Sequence, residues 1–329
     1  MRGYARLIWG ALFGMVAAGA LAQPVERIEK ATVAHVLPRV KIGVSVPAAD
    51  HGWAAALGWW AKRAMPLYPN VEWVYAAAAR PDKQIADIRD MMAKKVDGLV
   101  VMATEAGPLT EVVAAARKQG VLVVNVDRGL LWPAADIFIQ CDNEAFGRKS
   151  AEFMVRKLQG KGSIVILRGV PCGLDTIRYE AAMTVFAKTD IEVLGVLPGM
   201  WNRRKATECM AALLAKHGRI DAVWAADDEM ALGCEQAIRQ AGRQREMWIL
   251  GGACQKDVVK RIVDRDPMYP ANITYPPSMV ATGMHLAVAS LQNANRGKIK
   301  PFIPKHMVID CEVVVPENAR DYYVPDSPY

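Results

Sequence analysis

The apolar positions of this chain fall into short β-rich runs that alternate with longer segments of helical spacing. Five of the six residues in 121–126 are Val or Leu, and so short a run is typical of a strand buried on both faces of a parallel sheet. In 81–94 the apolar residues return at helical spacing, with Pro81 in the first turn. Short connections then predict a parallel sheet built from right-handed crossovers. The first half reads as strands at 41–46, 71–75, 98–102 and 121–126, and helices at 53–65, 81–94 and 108–118.

The same alternation begins again near 141–143, which marks the boundary between two α/β halves. Gly218 follows one of the predicted helices, as is common at helix ends. The second half therefore predicts a second parallel sheet. A strand predicted at 137–140 precedes this boundary. The strands of the second half are predicted at 163–167, 191–197, 222–225 and 248–250, and its helices at 144–158, 176–187, 203–217, 229–240 and 256–263.

A late helix at 278–293 and strand-like segments at 307–310 and 312–315 follow the second half. A tail of this kind is expected to return to the first half, so the chain would cross between lobes three times and form a hinge. The predicted fold class is α/β, with two doubly wound, Rossmann-like parallel-sheet lobes joined by a multi-crossing hinge. The predicted domains are an N-terminal lobe of 38–141 plus 276–303 and a C-terminal lobe of 142–275 plus 304–316.

Polar residues follow the central apolar run directly. Asp127 and Arg128 come after 121–126, and ligands of open α/β sheets bind beyond the carboxyl ends of the strands. The pair is therefore a candidate for holding a small molecule. A solvated ion pair at a strand end is the alternative.

Composition and charge exclude several classes. A net charge of +7, 52% hydrophobic and 23% charged residues fit an ordinary globular protein. No basic run exceeds 201–205 and no aromatic residues interleave with basic ones, so a nucleic-acid partner is not expected. The six cysteines show no C-x-x-C spacing and the histidines no H-E-x-x-H motif, so neither a metal site nor a cofactor is expected. Six cysteines allow 15 pairings if all are oxidised, and sequence does not rank them.

The N-terminus has the pattern of a secretory signal peptide. Arg2 and Arg6 precede an uncharged stretch that ends in Ala20-Leu21-Ala22. Residues 1–22 are therefore predicted to be removed, and the mature protein is expected in the periplasm. An uncleaved anchor is the alternative, although the apolar part is shorter than a membrane span prefers.

Four segments at the predicted strand ends carry a resemblance to a known family. They are 42–46, 97–101, 124–128 and 226–233, the last reading Ala-Asp-Asp-Glu-Met-Ala-Leu-Gly. In this order and spacing the chain resembles the type I periplasmic sugar-binding proteins of the ribose-binding branch, over nearly the whole mature sequence. The resemblance implies a monomeric, non-enzymatic receptor without catalytic residues or cofactors. Such a receptor holds a small ligand between its lobes and delivers it to an ABC transporter permease.

The resemblance also implies roles for individual residues. Trp53 and Trp201 match aromatic residues that stack on a sugar ring from opposite lobes, and Asp127 matches an acceptor for adjacent hydroxyls. The other positions implied to contact ligand are Asp50, His51, Glu105, Arg128, Arg178, Asp227 and Tyr275.

Several of these residues have a structural alternative. Trp53 could be a core aromatic at a helix start, and Trp201 could cover a loop. Asp227 could cap the helix that begins beside it, Glu105 could be a charge at a helix start, and His51 could orient a neighbouring carboxylate.

The chain departs from the family pattern at three places. Gly251-Gly252-Ala253-Cys254 lacks the acidic residue usual there, Asp50-His51 replaces an Asn pair, and Tyr275 replaces a hinge amide. Ribose is therefore not the expected ligand. Another pentose, a hexose, a small polyol or a non-sugar solute remains open. A disulfide between Cys172 and Cys254, both in strand-end loops, is a further hypothesis.

Three other functions are alternatives to a transport receptor. A repressor effector domain would need a DNA-binding helix-turn-helix where the signal peptide lies. A secreted α/β enzyme is disfavoured because no G-x-S-x-G, P-loop or G-x-G-x-x-G motif occurs. A receptor that signals to a membrane sensor kinase or chemoreceptor is the main alternative to transport.

Overall fold

Strands and helices alternate through a computed structural model that describes residues 38–49, 52–292 and 303–329. The strands are β1 Val40–Pro47, β2 Val71–Ala78, β3 Gly98–Val101, β4 Leu122–Val126, β5 Ile137–Cys141, β6 Lys161–Arg168, β7 Asp190–Pro198, β8 Ala222–Ala225, β9 Trp248–Leu250, β10 Asn272–Ile273, β11 His306–Ile309 and β12 Val313–Val314. The helices are α1 Gly52–Ala64, α2 Pro81–Ala93, α3 Ala106–Lys118, α4 Asn143–Leu158, α5 Gly173–Phe186, α6 Arg203–Lys216, α7 Asp228–Gln240, α8 Lys256–Val263 and α9 Met279–Leu291, with 3-10 helices at Met65–Leu67 and Ala319–Tyr322.

Two parallel sheets organise these elements, as the sequence predicted. The first has the order β11-β5-β4-β3-β1-β2 and the second β7-β6-β8-β9. Every residue of β3 and β8 is buried, which explains why these strands read as unbroken apolar runs. In both sheets the order reverses beside the first strand, between β1 and β3 and between β6 and β8. Doubly wound folds bind ligands outside the carboxyl ends of the strands at such a reversal.

Three connections join the two sheets. The chain passes from β5 to α4, from β10 to α9, and from β11 to β12, which pairs with β10. Backbone hydrogen bonds tie these connections together, from Asp142 N–H to Ile309 O (2.9 Å) and from Thr274 N–H to Glu312 O (2.9 Å). The multi-crossing hinge of the predicted fold class is thus present.

One segment pairs differently from the sequence prediction. β11 forms a parallel ladder with β5 in the first sheet, from His306 opposite Phe138 to Ile309 opposite Cys141, whereas 304–316 was assigned to the C-terminal lobe. The reason is that the tail is divided: β11 extends the edge of the first sheet, and β12 pairs with β10 in a separate two-stranded antiparallel sheet. Sequence periodicity does not reveal which edge such a short strand joins.

Helix α9 is the most apolar helix and is buried on most of its surface. Met279, Val280, Met284 and Val288 are almost wholly inaccessible to solvent, and the helix packs on β3, β4 and α1. Its composition thus reflects its position against the first sheet. None of the described helices combines the length and apolar character needed to cross a membrane.

All six cysteines lie in the described residues and are free thiols. The disulfide hypothesis for Cys172 and Cys254 is therefore wrong. The Cys254 thiol instead donates to Asn272 Oδ1 at 3.5 Å, and burial raises its pKa well above the usual value. It is held as a buried, protonated thiol.

Gly147 marks a close approach between α4 and α5. A Cβ at this position would lie 1.9 Å from the carbonyl oxygen of Arg178, and backbone cannot move aside as a side-chain tip can. Gly147→Ala is therefore expected to destabilise the protein by about 2–3 kcal/mol, the usual cost of overpacking. Chemical denaturation of the purified protein measures this difference.

Gly107 is the matched control for this substitution. It also lies in a helix, but nothing stands within 4 Å of the Cβ it would gain. Gly107→Ala should leave stability unchanged or slightly raised. Equal effects of the two substitutions would contradict the close packing of α4 on α5.

Candidate functional site

A cavity lies where loops at the carboxyl ends of both sheets converge. Residues following β1, β4, β7, β8 and β9 line it together with the first turns of α5, one hinge residue and one tail residue. Its empty volume is about 420 Å³, part of it open to solvent. The lining residues are Trp53, Asp127, Arg128, Leu174, Arg178, Trp201, Asp227, Ala253, Tyr275 and Tyr329.

The first sheet and the hinge contribute one connected group. The Tyr275 hydroxyl donates to Asp127 Oδ1 at 2.5 Å, and the Trp53 indole N–H donates to Tyr275 O at 2.9 Å. The rings of Trp53 and Tyr275 pack with centroids 5.8 Å apart. Burial, and next the Asp127 charge, raise the pKa of Tyr275 well above its usual value. The Tyr275 hydroxyl therefore stays protonated and fixes one oxygen of Asp127.

Arg178 enters the cavity from α5 of the second half. Its Nε donates to Asn143 Oδ1 at 2.8 Å and its Nη1 to Ala226 O at 3.3 Å. The guanidinium carbon lies 4.2 Å from the ring centroids of both Phe146 and Tyr275, which is a close cation–π distance. Stacking and two hydrogen bonds hold this 4% exposed group in place, and they leave other guanidinium N–H groups available to a ligand.

Asp227 is both a helix cap and a cavity residue. Its Oδ1 accepts the Met230 N–H at 2.8 Å at the start of α7, so the capping alternative is correct, and it also lines the cavity. Burial raises the pKa of this carboxyl to about 7, against the opposing effects of the Met230 hydrogen bond and Arg178. Asp227 therefore changes its charge near neutral pH.

Trp201 sits on a strained turn after β7. Its φ is +50° and that of Met200 is +60°, a left-handed conformation that non-glycine residues rarely adopt. Gly169 makes room for the indole, since a Cβ there would lie 2.1 Å from Trp201 Nε1. Asp127 and Ala253 also have left-handed backbone, with φ of +62° and +79°. Such strain is characteristic of functional sites.

Arg128 joins two strand ends of the first sheet. Its Nη1 donates to Thr104 O at 2.8 Å, and the Asn125 side-chain amide donates to Arg128 O at 3.1 Å. Glu105 is exposed and does not line the central cavity. It stands at the start of α3 without a capping hydrogen bond and borders a neighbouring cavity that Trp53 and Arg128 also line.

The structure brings seven of the ten predicted residues to one cavity, Trp53, Asp127, Arg128, Arg178, Trp201, Asp227 and Tyr275. Asp50 and His51 lie outside the described residues. Sequence reasoning missed Leu174, Ala253 and Tyr329. Leu174 lies in the first turn of α5 and Ala253 in a strand-end loop, whereas nothing in the tail pattern signalled Tyr329.

The turn that holds Ala253 is organised by a buried carboxylate. Asp228 accepts the N–H groups of Gly252 (2.9 Å) and Gln255 (2.6 Å) and the side-chain amide of Asn272 (2.7 Å). These bonds fix the left-handed backbone at Ala253, whose small side chain lines the cavity. Asp228 itself supports the turn and does not line the cavity.

The lining suits a neutral, hydroxyl-rich molecule. Two acids, Asp127 and Asp227, face two bases, Arg128 and Arg178, and the aromatic rings supply apolar surface. Carboxylates accept hydroxyl protons and guanidinium groups donate to hydroxyl oxygens. Among the described residues, no three His, Cys, Asp or Glu side chains are grouped so as to hold a metal ion.

Known proteins share both sequence and fold with this chain. The ribose import binding protein RbsB of Bacillus subtilis is 32% identical over 184 residues, 56% of this chain and 59% of that protein. The xylitol-binding protein of Mycolicibacterium smegmatis is 33% identical over 178 residues, 53% of this chain and 51% of that protein. The chain thus matches little more than half the length of these two relatives.

A solved structure extends the likeness to most of the chain. The fructose-binding periplasmic domain of a hybrid two-component system superposes with a TM-score of 0.74 at 29% identity, covering 86% of this chain and 92% of that one. The fold is the periplasmic binding protein type I fold. The relatives and neighbours are substrate-binding proteins, which are not enzymes. Because the periplasmic binding protein domain matches residues 42–295, this chain belongs to the periplasmic binding protein family.

Proposed function

We propose that this protein is a periplasmic solute-binding protein that captures one small, neutral sugar or polyol between its two lobes for import by an ABC transporter. One observation carries the proposal: aromatic, acidic and basic side chains from both sheets line a single cavity. The predicted lobe boundaries form part of the proposal, with β11 counted in the first lobe.

The chemistry of the cavity supports a sugar. Trp53 and Trp201 offer aromatic planes for the apolar faces of a ring. Asp127 has one oxygen bonded to Tyr275 and further acceptor capacity for ligand hydroxyls. Charge-assisted hydrogen bonds contribute roughly 1.5–3 kcal/mol each, so three or four are sufficient for tight binding. Asp127 and the partly ionised Asp227 offset most of the positive charge of Arg128 and Arg178, which argues against a strongly charged ligand.

The ligand is proposed to be a pentose, hexose or small polyol other than ribose. The ribose import binding protein and the xylitol-binding protein are relatives named for ligands of this size, which supports a ligand of this class. Ala253 stands where the family usually has an acid, so the ribose pattern is incomplete.

Import and location complete the proposal. The B. subtilis relative is named an import binding protein, which supports an ABC permease as partner of a monomeric receptor. Removal of 1–22 would place the protein in the periplasm. Mass spectrometry of the protein recovered from the periplasm should find a chain that begins at Gln23. Capture of a sensor kinase or chemoreceptor, with no permease, would contradict the transport role.

A thermal-shift panel of pentoses, hexoses and polyols tests the function. A ligand that binds only the folded state raises the melting temperature, by an amount that grows with ligand concentration over Kd. The proposal expects at least one panel member to raise it by several degrees. A panel in which no sugar or polyol shifts the melting temperature would refute the proposed function.

Affinity is expected to rise with pH through about 7. Hydroxyl donors favour the charged form of Asp227, so the ligand lowers a pKa that burial holds at about 7 in the free protein. Binding then releases a proton and strengthens as pH rises from 6 to 8. Titration calorimetry at several pH values measures this slope.

The carboxyl of Asp227 makes the stability of the ligand-free protein fall as pH rises, opposite to its effect on affinity. Its folded pKa lies above the unfolded value of 3.8, so its contribution to stability is present below that pH and is lost as pH rises through about 7. Asp227→Asn keeps a good helix cap and should abolish the pH slope of binding. A slope that persists in this variant would assign it to another group.

A further inference from the structure

We infer that Tyr329 is a specificity-determining residue of the proposed sugar site, and that its hydroxyl bonds the ligand where the turn at Ala253 offers no polar side chain. The inference rests on the proposed function and names one further contact in the same cavity. It concerns a residue that no strand-end pattern indicates.

The first observation is the position of Tyr329. The ring lines the ligand cavity and also a second cavity behind it, and Ala253 and Tyr275 line both. These three side chains therefore form the wall between the two cavities. Tyr329 borders the ligand space together with Ala253, whose methyl group offers no polar atom to a ligand.

The second observation is an unsatisfied polar group. Tyr329 is only 3% exposed, and its hydroxyl is buried with no hydrogen-bond partner among the described residues. A buried hydroxyl without a partner costs roughly 1–3 kcal/mol, so such a group calls for an explanation. Burial, and next the charges of Asp228 and Asp227, raise the pKa of Tyr329 well above its usual value. The hydroxyl therefore remains able to donate as well as to accept.

The third observation is how the ring is held. Lys256 Nζ donates to Ser327 O at 2.6 Å, and Tyr329 N–H donates to Ser327 Oγ at 3.2 Å, which fastens the tail to α8 of the second half. The ring then reaches α1 of the first half, because a Cβ on Gly52 would lie 2.6 Å from Tyr329 Cδ2. Contacts with both halves fix the ring at the cavity and give the hydroxyl a defined position, as ligand discrimination requires.

Tyr329→Phe tests the inference, because it removes the hydroxyl and keeps the ring. The ligand is the panel sugar or polyol that gives the largest thermal shift with the unaltered protein. Calorimetry should show affinity about tenfold weaker, the usual value of one hydrogen bond. Without ligand, the variant should melt at the same temperature or slightly higher, since an unpaired buried hydroxyl is lost. A purely structural role of the hydroxyl would leave affinity unchanged and lower the melting temperature without ligand.

Tyr323→Phe is the matched control. It removes a hydroxyl from the same tail, but Tyr323 does not line the cavity, so this variant should bind the ligand with unchanged affinity. Monodeoxy analogues of the ligand complete the test. One analogue should bind the unaltered protein less tightly than the parent ligand does. The same analogue and the parent ligand should bind Tyr329→Phe with equal affinity. Unchanged affinity in Tyr329→Phe, or a lowered melting temperature without ligand, would overturn the inference and leave the proposed function standing. If no panel sugar binds the unaltered protein, the proposed function fails instead.

Discussion

Asp127→Ala is expected to abolish the ligand-induced thermal shift while the unliganded protein stays folded. The carboxylate is 6% exposed and lines the cavity, and Tyr275 occupies only one of its acceptor positions. Loss of two charge-assisted hydrogen bonds to ligand hydroxyls removes about 3–6 kcal/mol, or roughly 100- to 10,000-fold in affinity. Calorimetry with the panel ligand measures this loss.

The backbone conformation of Asp127 requires a second variant. Its φ of +62° is less costly for Asn than for Ala, and Asn retains an oxygen for the Tyr275 hydroxyl. Asp127→Asn should therefore melt like the unaltered protein and still bind at least tenfold more weakly, because neutral hydrogen bonds are about half as strong. The exposed Asp82 paired with Arg80 supplies the control, and Asp82→Asn should not affect binding. Unchanged affinity in Asp127→Asn would show that the charge of Asp127 does not contribute to ligand binding.

Arg178→Met is expected to weaken binding more than 100-fold. Met keeps an unbranched apolar side chain against Phe146 and Tyr275 but lacks the charge and all five N–H donors. Two or more hydrogen bonds to ligand and the cation–π contacts are then lost. The substitution also leaves Asn143 Oδ1 and Ala226 O without these donors, so a lower melting temperature is expected as well.

A pH profile separates the role of Arg178 from simple destabilisation. Its positive charge lowers the pKa of Asp227. In Arg178→Met the residual binding should therefore rise with pH around a midpoint above the value of about 7 in the unaltered protein. Arg168→Met is the control, since Arg168 stacks on Tyr179 in the same half but does not line the cavity. An unchanged midpoint would contradict the coupling between Arg178 and Asp227.

The sequence predicted the fold class because the relevant signal is local. Buried parallel strands read as short apolar runs, and the helices between them carry an apolar face. The carboxyl ends of β3, β4 and β8, on the side of the sheets where the cavity lies, were predicted to within one residue. Since ligands bind beyond the carboxyl ends of such strands, Asp127 could be proposed from its position alone, whereas Asp227 was implied by the family resemblance. The structure places both in the cavity.

The features that the sequence did not predict depend on contacts between residues far apart in the chain, which hydrophobic periodicity does not encode. β11 has four residues, and its pairing with β5 rests on a contact across more than 160 positions of the chain. Tyr329 reaches the cavity because Lys256 anchors the tail, which no local pattern reveals. The rigid turn at Ala253 likewise depends on Asp228, which lies 25 residues before it in the sequence. Dual roles were also beyond the sequence: Asp227 caps a helix and lines the cavity, so its two interpretations were not exclusive.

A crystal structure of the protein with its panel ligand tests the central claim most directly. The account predicts one ligand per chain, enclosed between the lobes, with its ring faces against Trp53 and Trp201. Its hydroxyls should lie within hydrogen-bond distance of Asp127, Arg178 and Asp227. A ligand bound outside this cavity, or held by residues of one lobe alone, would contradict the account.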